Sequence, residues 1–299
     1  MCRSRLFAFL LLAGCVPKMG NPASLITQER IIGARGNPGE AAPGDLVHYA
    51  SLVASPSGTV DAQDLSWSLC KLRKPVAENT PVSQACLTDD LAQSAQGGSV
   101  AIQTPSAACA NFGPFAPPSS SGTLRPSDPD ATGGYYQPLR LDLGVEQAIF
   151  RERLSCGLAG ASLAMSQEFR GSYAANQNPT LVSLSALVGE TPASLDALPA
   201  SQPIRLVATW SPDSAESYPV FDSSSQTLVD HREALWLSWF VTAGAFDDSV
   251  TGREEDDTAV WTENAWQSPA TAGVVFLWLV LRDSRGGVDF ASYALTVVP

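Results

Sequence analysis

Over residues 204–210, and again over 235–241, apolar side chains recur at every second position, a pattern that strands can bury and helices cannot. Ile204, Leu206, Ala208 and Trp210 alternate with Arg205, Val207 and Thr209, and Leu235, Leu237, Trp239 and Val241 alternate with Trp236, Ser238 and Phe240. Successive strand side chains point to opposite faces, so each segment offers one face to a core. Val274 to Leu281 is apolar at every position, as in a strand covered on both faces. Ended by Arg282 and Asp283, it is far shorter than the ~20 residues a membrane helix needs. A turn of Asp283, Ser284, Arg285, Gly286 and Gly287 follows, and Tyr293, Leu295 and Val297 line one face of a last strand.

The first half carries the same period more loosely. Asn37, Pro38 and Gly39, then Pro43 and Gly44, precede a strand over Leu46 to Ala54; Leu65 to Cys70, with Trp67 at its centre, and Tyr135 to Leu143 read as two more. Ser94 to Pro138 is dense in Gly, Ser, Pro and Ala and includes Pro114, Pro117, Pro118, Pro126 and Pro129. That composition predicts a long surface excursion without a regular ladder. From Glu146 the spacing changes. Ile149, Phe150, Arg153, Leu154 and Leu158, then Leu163, Met165, Phe169 and Tyr173, repeat at intervals nearer helical. A helical connector is therefore predicted over 146–177, broken near Gly157 or Gly160 and ended by Asn176, Asn178 and Pro179.

Two resemblances give these elements an architecture. The Pro-Gly-Asp turn at 43–45, its apolar strand and the Trp67 strand ending at Cys70 resemble the B and C strands of an immunoglobulin-like sandwich. The run from Trp278 to Val298, with its Arg-Asp-Ser-Arg-Gly-Gly turn, resembles the terminal hairpin of Ig-like and PKD-type bacterial domains. The resemblance implies a mainly β chain with two sandwiches: an irregular, disulfide-pinned Ig-like domain over 26–145 and an Ig-like sandwich over 178–299, joined by the short helical connector.

The N-terminus carries an address. Arg3 and Arg5 precede an apolar run from Leu6 to Leu12, and Leu12, Ala13, Gly14 and Cys15 resemble the lipobox of bacterial lipoproteins. The resemblance implies a signal peptide over 1–14, cleavage before Cys15 and acylation of its thiol, palmitate being one of the chains. Two or more acyl chains anchor firmly where one holds marginally. Residues 15–25, polar and containing Pro and Gly, read as a tether. The same resemblance implies that Val16, rather than Asp, after the cysteine favours the outer membrane if the cell has two membranes. The expected location is the cell envelope. Four cysteines then remain, Cys70, Cys86, Cys109 and Cys156, an even number in an oxidising compartment. Of three pairings, Cys70 with Cys86 and Cys109 with Cys156 is preferred on nearness. No C-x-x-C or nearby histidine points to zinc.

Chemistry is sparse. The two histidines, His48 and His231, fall in different halves, and no G-x-S-x-G, H-E-x-x-H or P-loop pattern occurs, so the enzyme classes those motifs mark lose their signatures. A net charge of −12 disfavours a nucleic-acid partner. No cofactor is indicated with certainty. Asp247, Asp248, Glu254, Glu255, Asp256 and Asp257 crowd one interstrand segment, where a hard cation such as calcium would relieve their repulsion, although the EF-hand spacing is absent. Trp261 and Trp266, with Asn264 between them, follow this segment as a candidate platform for a sugar or protein. The preferred function is a lipid-anchored, non-catalytic envelope protein that binds a protein or glycan in adhesion or assembly. Against it stand a carbohydrate-active enzyme using the acidic-loop carboxylates and a passive structural protein.

Overall fold

The computed structural model describes residues 22–70, 82–88, 91–109, 131–158 and 160–299. The expected signal peptide, Cys15, most of the expected tether and the proline-rich stretch 110–130 lie outside the described residues.

The first domain comprises β1 (Arg30–Asn37), β2 (Glu40–Ala41), β3 (Leu46–Ser55), β4 (Gly58–Val60), β5 (Ser66–Cys70), β6 (Leu91–Gln96), β7 (Ser99–Gln103), β8 (Gly134–Leu143) and β9 (Glu146–Ser155). One sheet has β3 at its centre, paired with β1, β4 and β7, and the other runs β2-β9-β8-β5-β6. Val47, Tyr49 and Val53 of β3 face Trp67, Leu69, Leu139, Leu141 and Leu154 across a shared core. Trp67 is fully buried and donates its indole N–H to the Gly97 carbonyl at 2.7 Å, so its polar atom is satisfied.

A single helix, α1 (Leu163–Ser172), follows; Ser162 caps it by accepting the Met165 N–H at 3.2 Å. The second domain then comprises β10 (Leu181–Val188), β11 (Thr191–Ala193), β12 (Leu198–Pro199), β13 (Pro203–Trp210), β14 (Ser217–Asp222), β15 (Thr227–Arg232), β16 (Leu235–Val241), β17 (Ala245–Phe246), β18 (Val250–Arg253), β19 (Trp261–Gln267), β20 (Gly273–Asp283) and β21 (Val288–Val298). Its sheets run β11-β10-β13-β19-β17 and β12-β21-β20-β16-β18, with β14 and β15 as a separate hairpin. The alternation seen in sequence is what closes this sandwich: Leu206, Ala208 and Trp210 pack against Leu237, Trp239, Leu277, Leu279 and Leu295. The chain is thus mainly β, two sandwiches with one short helix between them.

Three sequence expectations change. Residues 146–155 are strand, not helix: β9 pairs with β8 from Leu143↔Glu146 to Gly134↔Ser155. The first sandwich therefore runs through Ser155, past the expected limit at 145, and the helical part of 146–177 shrinks to Leu163–Ser172. The physical reason is that β9 buries an ionisable side chain on each face. Glu152 turns into the first core beside Val47 and Tyr49, while Arg153 turns outward to Glu40, and both are under 5% exposed. Charged residues at two adjacent buried positions erase the period-two signal. The second change is in the excursion, whose start belongs to the ladder as β6 and β7. The third is in the tether, whose last residues join the second sandwich: Val241 donates its N–H to Ser24 and Ile26 donates to the Val241 carbonyl, both at 2.8 Å.

Cys70–Cys86 and Cys109–Cys156 are disulfide-bonded, the pairing preferred from sequence. Loops of 16 and 47 residues imply about 3 to 4 kcal/mol of stabilisation each, by restricting the unfolded chain.

β20 explains its own composition. One face fills the second core, and the other carries Trp278 and Val280 against Ile32, Leu52 and Ala54 of the first domain, with Ile26 between them. Trp278 donates its indole N–H across this junction to Thr59 Oγ1 at 2.8 Å.

Candidate functional site

The outer face of the β10-β13-β19 sheet is the strongest candidate surface. Even-numbered residues of β13 fill the core, so Arg205, Val207 and Thr209 stand outward, beside Ser185 and Leu187 of β10 and Trp261 and Glu263 of β19. These seven side chains line a shallow depression of about 450 Å³. Trp261 is 41% exposed there, large for an indole that folding could have buried. Its ring is held rather than loose. The Arg253 guanidinium lies 4.6 Å from the ring centroid, and Arg253 Nε donates to the Trp261 carbonyl at 2.7 Å. Around the indole, Arg205 pairs with Glu190 at 3.1 Å and Glu263 at 3.5 Å, and Ser183 and Thr209 share a hydroxyl hydrogen bond at 2.8 Å. A fixed aromatic ring, two aliphatic side chains and a rim of hydroxyls and charges suit a ligand that is apolar on one side and hydroxylated at its edge.

Trp266 and Asn264 do not belong to this surface. They lie on the opposite face of β19 from Trp261. Trp266 is fully buried with its indole N–H on the Ala243 carbonyl at 3.1 Å, and Asn264 is locked to the Asp248 backbone, donating to its carbonyl and accepting its N–H. Trp261 and Trp266 are five positions apart, an odd interval that a strand must place on opposite faces. The expected three-residue platform is therefore corrected to Trp261 with partners from β10 and β13.

The acidic segment is likewise dispersed. Asp247, Asp248, Glu254, Glu255 and Asp256 are exposed; Glu255 accepts a hydrogen bond from His231 Nδ1 at 3.0 Å. Asp257 accepts the Ala259 N–H and pairs with Arg253, both at 2.9 Å, and these partners hold its carboxyl below the usual range. Among the described residues no group of three or more His, Cys, Asp or Glu is arranged to hold a metal ion. The calcium site expected from the charge run is thus not assembled: local arginine and backbone N–H partners take up part of the charge, and solvent screens the rest.

A second polar centre, which sequence reasoning missed, joins the two domains. Arg153 donates to Glu40 Oε2 at 3.0 Å, and that carboxylate also accepts Tyr173 OH at 2.6 Å and the Asn176 N–H at 2.9 Å. Asn176 Nδ2 continues to Asp283, whose oxygens also accept the Arg285 and Gly287 N–H groups. Arg285 then pairs with Glu233 at 2.6 Å and Glu216 at 2.7 Å. A side chain at Gly134 would collide with the Arg153 guanidinium, so glycine is required for the arginine to lie there.

This centre sets the pH dependence. Burial works against ionised Glu40, but Arg153 and three hydrogen-bond donors more than offset it and hold its carboxyl below its ordinary value. Burial pushes Glu233 up to about 7, with Asp283 adding to the rise and Arg285 opposing it, and burial pushes Glu152 well above its ordinary value. A carboxyl raised in the fold contributes stability at low pH that is lost as pH climbs from about 4.5 through the folded value, whereas the lowered Glu40 loses its contribution as pH falls through its folded value. Stability is therefore expected to peak at mildly acidic pH. Urea midpoints should be higher at about pH 5.5 than at about pH 8, and Glu152→Gln should flatten that fall; a midpoint that rises steadily to pH 8 would contradict it.

Among the described residues no helix is long and apolar enough to cross a membrane. No protein-family model and no curated protein sequence matches the chain. Solved structures that the chain matches include a glycoside hydrolase family 2 β-glucuronidase, at 10% identity and a TM-score of 0.25 over 92% of this chain and 20% of that one. Domains 4 and 5 of the S-layer protein SbsC give 6% identity and a TM-score of 0.21 over 90% of this chain and 100% of that one. The adhesin InvE of Yersinia pseudotuberculosis gives 10% and 0.22 over 94% of this chain and 62% of that one. The chain spans about a fifth of the glucuronidase. At such scores these likenesses leave function to be read from the chain's own residues.

Proposed function

We propose that this chain is a non-catalytic envelope lipoprotein, anchored through acylated Cys15, whose second sandwich binds a neutral envelope glycan on its outer sheet face. The observation that carries the reading is Trp261, 41% exposed and pinned by Arg253 in a depression of the β10-β13-β19 sheet. An indole face covers the C–H side of a sugar ring, while Ser185, Thr209, Arg205 and Glu263 are placed to exchange hydrogen bonds with its hydroxyls. The net charge of −12 disfavours polyanionic glycans, which favours a neutral one. The lipid anchor and outer-membrane address rest on the lipobox sequence. A hydrolytic role for the acidic segment gains no support, since none of its six carboxylates lines the Trp261 depression and Asp257 is committed to Arg253.

The test is co-sedimentation of the mature protein, with Cys15→Ser to keep it soluble, against purified cell-wall glycan. Trp261→Ala is expected to weaken binding by roughly 30-fold, the scale of a central aromatic contact worth about 2 kcal/mol. Its stability should change little, because the ring lies on the outer sheet face and fills neither core. Equal binding by wild type and Trp261→Ala, or none by either, would overturn the proposal.

A further inference from the structure

A cleft of about 620 Å³ lies where the β20–β21 turn of the second sandwich faces β8 and β9 of the first. It is lined by apolar side chains, among them Ile149, Phe150 and Val288, and by the cations Arg151 and Arg282. Its volume falls within the range of small-molecule sites, which favour domain interfaces.

The charges in this cleft are unbalanced. Arg282 stands half-buried on the outer face of β20, where it donates only to neutral acceptors, Ser238 Oγ at 3.2 Å and the Ile32 carbonyl at 3.3 Å. Among the described residues it has no ion pair, and burial alone lowers its pKa. A guanidinium carries five N–H donors, and two are used. Arg151 is exposed at the same cleft and likewise has no ion-pair partner among the described residues. Ser284 lines the cleft as well, and its hydroxyl is closed off from solvent with no hydrogen-bond partner. The one acid at this wall, Asp283, is already occupied by Asn176 Nδ2 and the Arg285 and Gly287 N–H groups, so its charge is satisfied within the junction. Elsewhere at this junction buried arginines have carboxylate partners: Arg153 has Glu40, and Arg285 has Glu216 and Glu233. Arg282 is the exception, and leaving a desolvated cation unpaired is costly unless something else supplies the anion.

We propose that this cleft binds a small organic anion, a carboxylate or phosphate monoester bearing an apolar group. Its acidic end is placed between Arg151 and Arg282, and its apolar end against Phe150 and Val288. This site is separate from the Trp261 face and does not depend on it.

The test uses calorimetric titration of the soluble mature protein with phenyl phosphate, 3-phenylpropionate and, as the neutral counterpart, 3-phenylpropanol. At least one anion is expected to bind in the millimolar range or tighter and to raise the melting temperature, while the alcohol does neither; the tighter anion identifies the head group. Arg151→Gln, at an exposed position that leaves the fold intact, should weaken that anion about tenfold, and Arg282→Gln should weaken it at least as much. If Arg282→Gln does not fold, Arg151→Gln decides. Absence of binding by both anions, equal binding by the alcohol, or unchanged affinity in Arg151→Gln would overturn the proposal.

Discussion

Arg285→Met is expected to destabilise the folded protein by about 3–5 kcal/mol, the cost of stranding a buried charge whose partner is removed. The Arg285 side chain is 2% exposed and lies over the Tyr218 ring at 4.6 Å. Besides its ion pairs with Glu233 and Glu216, it donates to the Ala174 carbonyl at 3.0 Å. Glu233 is fully buried, so methionine would leave a carboxyl that must either ionise unpaired or stay protonated. Glu216, a quarter exposed, keeps access to water; Glu216→Gln is therefore expected to cost only about 1 kcal/mol. Urea unfolding of the two variants side by side checks both statements. A loss under about 1 kcal/mol in Arg285→Met would show that the junction does not depend on this pair.

Trp278→Ala is expected to cost a similar amount, about 3–5 kcal/mol, by a different mechanism: a cavity between the sandwiches instead of within one. The ring is fully buried among Ile32, Leu52, Ala54 and Val280, and its N–H reaches Thr59 of the other domain. Removing it takes away contacts that join the domains while leaving each core intact. Calorimetry should therefore show one unfolding transition in the wild type and two in Trp278→Ala. A single, merely lowered transition would mean that the buried polar centre alone couples the domains.

What the sequence disclosed follows from how far each signal travels along the chain. Alternation in β13 and β16 is a local consequence of a half-buried strand, so Ile204, Leu206, Ala208 and Trp210 were legible as core residues, and all four are 2% exposed or less. The continuous apolar run of β20 likewise announced two covered faces, though not that the second cover is another domain. β9 was illegible because Glu152 and Arg153 are ionisable residues at adjacent buried positions, and the ion-pair partner of Arg153, Glu40, lies more than 100 residues away. Arg285 drew attention only as part of a glycine-containing turn, since its partners at 216 and 233 become neighbours only when the hairpin folds back. For Trp261 and Trp266 the signal was present but unused. Their odd spacing separates them once β19 is recognised as strand. The cysteine pairing was legible because nearness along the chain coincides with nearness in the fold.

Hydroxyl-radical footprinting of the soluble mature protein, with and without cell-wall glycan, locates the binding face directly, because an exposed indole oxidises readily and a covered one does not. The expected result is protection of Trp261, with no change at Trp236, which is 38% exposed on the other sheet and serves as an internal control. Equal oxidation of Trp261 in the presence of saturating glycan, or protection at Trp236 instead, would contradict the assignment of the β10-β13-β19 face as the binding surface.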